Sequence, residues 1–181
     1  MNTTLARIKE LLNPKRKLTE DPHLLIPKKI IDGKAVADLG CGAGYYSRYI
    51  ARYASRLYAI DSNAEMLSKA KAVVPGSNVE FIQADLSRIP LRNGIVSVVL
   101  LANVFHDVKS VGINVVEEVH RILKDNGIVI IIDWKKEEMD IGPSYNIRMS
   151  QSDYMEYFST FKLVKEFPAG AYHYGMILKK A

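Results

Sequence analysis

The sequence predicts an α/β fold, a doubly wound and mostly parallel sheet that ends in an antiparallel hairpin. Three observations predict it. From residue 34 onward, short apolar runs rich in β-branched residues alternate with helical patterns, the arrangement of a parallel sheet covered on both faces. A glycine-rich turn follows the first of these runs. The last two runs, 161–167 and 172–179, are joined only by Pro168-Ala169-Gly170-Ala171. A connection that short cannot cross over, so the pair must be antiparallel.

The elements follow in order. Leu5, Ile8 and Leu12 are spaced like one helical face. Pro14, Pro22 and Pro27 then break an irregular basic segment that carries Lys15-Arg16-Lys17 and Lys28-Lys29. Residues 1–33 are expected to cover the pocket of a single domain whose main body is 34–181. Strands are expected at 35–39, 57–60, 79–83, 96–101 and 128–132, which with the hairpin makes seven. Between them, a helix over about 44–53 aligns Tyr45, Tyr49 and Tyr53. A second helix starts at Ser62, with Glu65 three residues later as a capping-box signal. A third carries Val115, Val116, Val119, Ile122 and Leu123, with Gly127 as its terminator. A short helix near 152–159 precedes the hairpin.

Composition narrows the function classes. The chain has 181 residues, 48% hydrophobic and 25% charged, ordinary for one globular domain. No apolar run approaches the roughly 20 residues of a membrane span, and the start MNTTLARIKELL lacks the pattern of a secretory signal. Cys41 is the single cysteine, which excludes an internal disulfide and a cysteine-rich zinc site and suits the cytoplasm. His23 and His120 lack ligand-like spacing, so no metal is expected. The net charge of +5 fits a solvated surface, with nucleic acid as the alternative partner.

The chemistry-bearing stretch is Val36-Ala37-Asp38-Leu39-Gly40-Cys41-Gly42-Ala43-Gly44-Tyr45, a strand entering a glycine loop and a helix. Glycines let a backbone take positive φ and approach a ligand closely. The dinucleotide fingerprint requires its third glycine at 45, where this chain has Tyr45. Asp61 ends the second strand 21 positions after Gly40, the place of a carboxylate that accepts both hydroxyls of a ribose. Asp85 follows the third strand, Asn103 the fourth and Asp133 the fifth. In an open α/β sheet such residues gather beyond the carboxyl ends of the strands, where ligands bind.

ADLGCGAGYYSRYIA, LYAIDSNAEML, FIQADLSRIPL and VVLLANVFHDV together closely resemble the class I S-adenosylmethionine-dependent methyltransferases, whose fold is a Rossmann-like, seven-stranded sheet. The resemblance runs from about residue 34 to the end. It implies S-adenosylmethionine as cofactor, with Asp38 and the backbone of Gly40, Cys41, Gly42 and Gly44 holding its methionine part. It places Asp61, beside Ser62, on the ribose, and Asp85 on the adenine amino group with Ala84 and Leu86 near it. Leu101, Ala102 and Asn103 would line the methionyl side. The later residues Ile131 to Glu137, Gly142-Pro143, Arg148 and Tyr172-His173-Tyr174 are similar to a type 11-like subgroup with unassigned acceptors.

S-adenosylmethionine carries its own leaving group, so alignment of acceptor and methyl can supply roughly 7–11 kcal/mol. A general base is needed only for an acceptor that must lose a proton. His106, beside Asp107 after the fourth strand, is the candidate catalytic residue. Lys135, Tyr145, Arg148, His173 and Tyr174 are candidates for the acceptor pocket, and Cys41 is expected simply to pack in the glycine loop. The Asn/Asp-Pro-Pro-Tyr/Phe motif of enzymes that methylate base amino groups is absent after the fourth strand. With no large separate substrate domain in view, a small or medium-sized acceptor is expected, with RNA, a protein or non-catalytic binding of the cofactor as alternatives. No membrane partner is expected, and either a monomer or a homodimer is compatible.

Overall fold

A computed structural model describes residues 3–11 and 13–181. Leu12 and the side chain of Leu5 lie outside what it describes, so the helical face expected of Leu5, Ile8 and Leu12 rests on Ile8, which packs with Ala43 and Met66. The helix α1 spans Thr3–Leu11. The prolines behave differently from expectation, because each opens a helical turn instead of an irregular stretch. Pro14 begins a 3-10 turn, Pro14–Leu18, capped by the Asn13 side chain. Pro22 begins α2, Pro22–Leu25, capped by Asp21, and Pro27 precedes α3, Lys28–Ile31. Proline suits these positions, since the first N–H groups of a helix have no partner within it.

The strands and helices then alternate through β1 Ala35–Leu39, α4 Ser47–Ile50, β2 Arg56–Asp61, α5 Ala64–Val73, β3 Val79–Gln83, β4 Val96–Ala102, α6 Phe105–Val108 and α7 Gly112–Ile122. The chain finishes with β5 Leu123–Trp134, α8 Gln151–Tyr157, β6 Phe161–Ala169 and β7 His173–Lys180. One seven-stranded sheet results, in the order β3-β2-β1-β4-β5-β7-β6. The first five strands pair in parallel, and β7 is antiparallel to both β5 and β6. The hairpin is as expected; its return strand inserts between β5 and β6. The direction of winding reverses at β1, which lies between β2 and β4.

Both faces of the sheet are buried, and the central strands alternate between two cores. Val99 and Leu101 of β4 and Val129 and Ile131 of β5 face α7 and α8, where Val115, Val119, Ile122 and Tyr154 cover them. Val98, Leu100, Ile130 and Ile132 face the other way, onto Ile26, Ile31, Tyr49 and Ile50. Burying one such aliphatic side chain is worth about 1.5–3 kcal/mol, so these runs of β-branched residues fix the register.

Three boundary expectations are corrected. The helix expected over 44–53 is regular only within α4, the rest of that stretch being turns. Asn63, not Ser62, caps α5, accepting from the N–H groups of Glu65 and Met66. The capping box belongs to Ser150 and Asp153 at the start of α8. Leu123 is already extended and starts β5, so α7 ends at Ile122 without help from Gly127. Among the described residues no helix is long and apolar enough to cross a membrane.

Candidate functional site

A cavity of about 410 Å³ opens along the carboxyl ends of β3, β2, β1 and β4, where the sheet's winding reverses. Its wall includes Asp38, Gly40, Cys41, Gly42, Asp61, Ser62, Asp85, Leu86, Ala102 and Asn103. Gly44, Ala84 and Leu101 do not line it. Leu101 is in the core. Gly44 serves packing: at its φ of +88° a Cβ would press on Val74 and on Ala70 of α5.

The loop after β1 is shaped by its own backbone. The N–H groups of Gly40 and Cys41 both donate to the Ile60 carbonyl, at 2.8 and 2.9 Å. Gly40 has φ +72°, and a side chain there would collide with Val104. Gly42 donates its N–H to Asp61 Oδ2 at 2.8 Å, while the N–H of Asn63 donates to Oδ1 at 2.9 Å. The Asp61 carboxylate is thereby fixed at the end of β2 before any ligand arrives. Asp85 is exposed just past the neighbouring strand β3, and its Oδ1 accepts from both the N–H and the hydroxyl of Ser87. Those bonds hold its pKa below the ordinary carboxylate value.

Asp38 is buried beneath the loop, with Ser47 Oγ donating to it at 2.5 Å. Burial raises its pKa to about 6, against the Ser47 bond and the nearby Arg16 charge. A carboxyl so poised gains its charge readily when a cation is brought to it. Burial also pushes the Cys41 thiol well above its usual value, leaving it a packed, un-ionised side chain.

The N-terminal segment closes one end of the cavity through residues that sequence reasoning missed. Thr4 and Arg16 line it, together with Tyr45 and Tyr46 from the turn before α4. The Arg16 guanidinium lies 4.1 Å from the centre of the Tyr45 ring. It donates from Nε and Nη2 to the two oxygens of Glu20, at 3.1 and 2.9 Å. Glu20 is 4% exposed and also accepts from the Tyr46 hydroxyl and from Asn103 Nδ2, each at 2.7 Å. Burial alone would raise the Glu20 pKa, but the Arg16 charge and hydrogen bonds, with the Tyr46 hydroxyl, hold it below the ordinary value. Because a carboxylate only accepts, Asn103 must turn its NH₂ toward Glu20 and its Oδ1 away. That Oδ1 is buried and has no hydrogen-bond partner among the described residues.

His106 does not line the cavity and is 5% exposed. Its Nδ1 lies 2.8 and 3.0 Å from the two oxygens of Asp133, whose carboxylate also accepts from the Tyr154 hydroxyl. Nε2 faces Asp107 Oδ1 at 3.6 Å, and Asp107 is the residue that reaches the cavity, with Val104 and Val108. Asp133 is thus part of a buried chain behind the site rather than one of its walls.

The other acceptor-pocket candidates lie outside this cavity. Arg148 is buried and binds the carbonyls of Pro143, Glu137 and Ile141, closing the loop after β5. Lys135 donates to the Ala171 carbonyl and Tyr174 to that of Met149. Tyr145 is exposed. His173 is buried 4.1 Å from the Trp134 ring, and burial holds it neutral by lowering its pKa against Glu20 and Asp133.

The cavity's lining suits S-adenosylmethionine. Its volume is in the range of small-molecule sites. Asp61 has a carboxylate held in place of the kind a ribose would require, and the Asn103 Oδ1, unpartnered among the described residues, would suit a donor such as an ammonium.

Known proteins point the same way. A family described as "Methyltransferase domain" matches residues 37–131. A SAM-dependent methyltransferase from Aquifex aeolicus has a TM-score of 0.88 at 29% identity, covering 97% of this chain and 98% of that one. A Sulfolobus solfataricus protein described as a type 11 methyltransferase has a TM-score of 0.80 at 39% identity, covering 90% and 94%. An uncharacterized methyltransferase of Synechocystis is 28% identical over 105 residues, 58% of this chain. The chain spans about half the length of that curated relative, 49%.

Proposed function

The chain belongs to the methyltransferase-domain family, and on that premise we propose that it transfers the methyl group of S-adenosylmethionine to a small or medium-sized acceptor in the cytoplasm. The observation that carries this reading is the switch-point cavity. One of its ends holds a carboxylate fixed for a ribose, and the other an orphaned amide oxygen and a buried acid. Residues 1–33 act as the cover of this pocket, supplying Thr4 and Arg16 to its wall.

The cofactor supplies the activated methyl; the protein supplies position and, where required, a proton acceptor. Asp61 and Asp85 hold the nucleoside, Asp38 and Asn103 the amino-acid end, and Gly40 leaves room for close approach. An acceptor would enter beside Val104, Asp107 and Val108. With its Nδ1–H given to Asp133, a neutral His106 has its proton-accepting nitrogen, Nε2, toward Asp107. Asp107 stands between that nitrogen and the cavity, so the acceptor's proton passes to the Asp107 carboxylate and from it to His106 Nε2.

The test is a screen for S-adenosylhomocysteine formation against hydroxyl- and amine-bearing small molecules, with RNA and protein acceptors in parallel. Turnover of a small molecule, slowed by roughly 10²- to 10⁴-fold in His106→Ala with S-adenosylhomocysteine affinity unchanged, is the expected result. Turnover confined to RNA or protein would reassign the acceptor. Full turnover in His106→Ala would remove the base.

A further inference from the structure

The cavity has two chemically different ends, set by the sheet. The ends of β3 and β2 present Asp85 and Asp61, and the ends of β1 and β4 present Asp38 and Asn103. Three strand spacings separate β3 from β4, roughly 14 Å, enough for a nucleoside followed by an extended amino-acid chain. Arg16 stands at the second end: its guanidinium lines the wall, and its partner Glu20 is bonded to Asn103. The charge of Arg16 reaches Asp38, whose acidity it increases.

Resting on the cofactor reading above, we propose that Arg16 is the carboxylate-binding residue of the cofactor site, that Asn103 Oδ1 takes the neighbouring ammonium, and that Glu20 is the positioning residue for both. The chemistry of each group supports this. A guanidinium has five N–H donors in a planar fork, enough to serve more than one carboxylate. Tyr45 beneath it fixes the plane of that fork. Glu20, at 4% exposure, cannot itself reach a ligand, yet its Oε2 accepts from both Arg16 Nη2 and Asn103 Nδ2. The pairing directs the amide oxygen of Asn103 away from Glu20, where it lacks a donor among the described residues. An amino-acid zwitterion has the complementary pair of charges.

A simpler role for the Arg16–Glu20 pair would be to strap the N-terminal segment to the sheet. Three ligands distinguish the two. S-adenosylmethionine has both charged groups, its decarboxylated form retains only the ammonium, and 5′-methylthioadenosine has neither. Calorimetric titration of the full chain with each, on wild type and Arg16→Gln, is the experiment, with thermal melts to check folding. Wild type is expected to prefer S-adenosylmethionine over the decarboxylated form by about tenfold or more, the worth of a charge-assisted bond. In Arg16→Gln that preference falls toward one while 5′-methylthioadenosine binds within about twofold of wild type.

A preference that survives Arg16→Gln overturns the proposal, as does an equal loss of all three ligands, the signature of a strap. Should Arg16→Gln not fold, Arg16→Lys serves, since it keeps the charge but not the fork. Its preference should drop at least about threefold, and an unaltered preference overturns the proposal. Absence of any preference in wild type overturns it however the variants behave. Wild type that binds none of the three overturns the cofactor reading itself.

Discussion

Asp38 holds the clearest residue-level tension in the molecule. Its carboxyl is buried, and burial raises its pKa from 3.8 to about 6. A folded-state pKa above the unfolded one means that the group favours folding fully below pH about 4 and loses that contribution as pH rises through 6. At neutral pH the ionised carboxylate therefore costs the ligand-free protein on the order of 1–3 kcal/mol. Asp38→Asn should melt higher than wild type above pH 6, with the gap closing toward pH 4; thermal melts from pH 4 to 8 read this directly. The same charge is what an ammonium or sulfonium would seek, so cofactor affinity in wild type should improve roughly tenfold between pH 5 and 7. A gap in melting temperature that does not change with pH would show that Asp38 is not the group responsible.

At the level of elements, what could be read in advance was local. The run Asp38 to Gly44, the carboxylate Asp61 at the end of β2 and the four-residue hairpin connection are signals within a few residues of each other, and each element formed where its pattern lay. The pattern places the cap of α5 one residue early, because Ser62 and Asn63 are both good caps and only the backbone decides between them. By pattern alone the prolines of the N-terminal segment are breakers, although Pro14 and Pro22 also suit the first turn of a short helix. Ser150 with Asp153 is a reciprocal box that starts α8. Replacing Ser150 by Ala should cost about 1 kcal/mol in urea unfolding and leave cofactor binding untouched, since α8 lies on the sheet face away from the glycine loop. A loss of binding in that variant would mean that α8 is coupled to the site.

On the scale of the whole molecule, the site is made by contacts that no local pattern contains. Glu20 and Asn103 are separated by 83 residues, yet one hydrogen bond between them orients the end of β4. A lone glutamate in a basic stretch gave no hint of burial; only its i, i+4 spacing from Arg16 could have drawn attention to a pair. His106 was expected to face the acceptor, but its alliance with Asp133 and Tyr154 draws it behind Asp107. Strand order explains why the other residues do converge. Reversal of winding at β1 leaves a cleft between the loops after β1 and β4, and the carboxyl ends of four strands open onto it. Everything proposed for the chain depends on that cleft holding S-adenosylmethionine. The most direct measurement is calorimetric titration of wild type and Asp61→Ala with S-adenosylmethionine and S-adenosylhomocysteine. Micromolar binding of both by wild type, weakened at least about tenfold without the Asp61 carboxylate, is the predicted result. Failure of wild type to bind either ligand, or equal binding in Asp61→Ala, would contradict it.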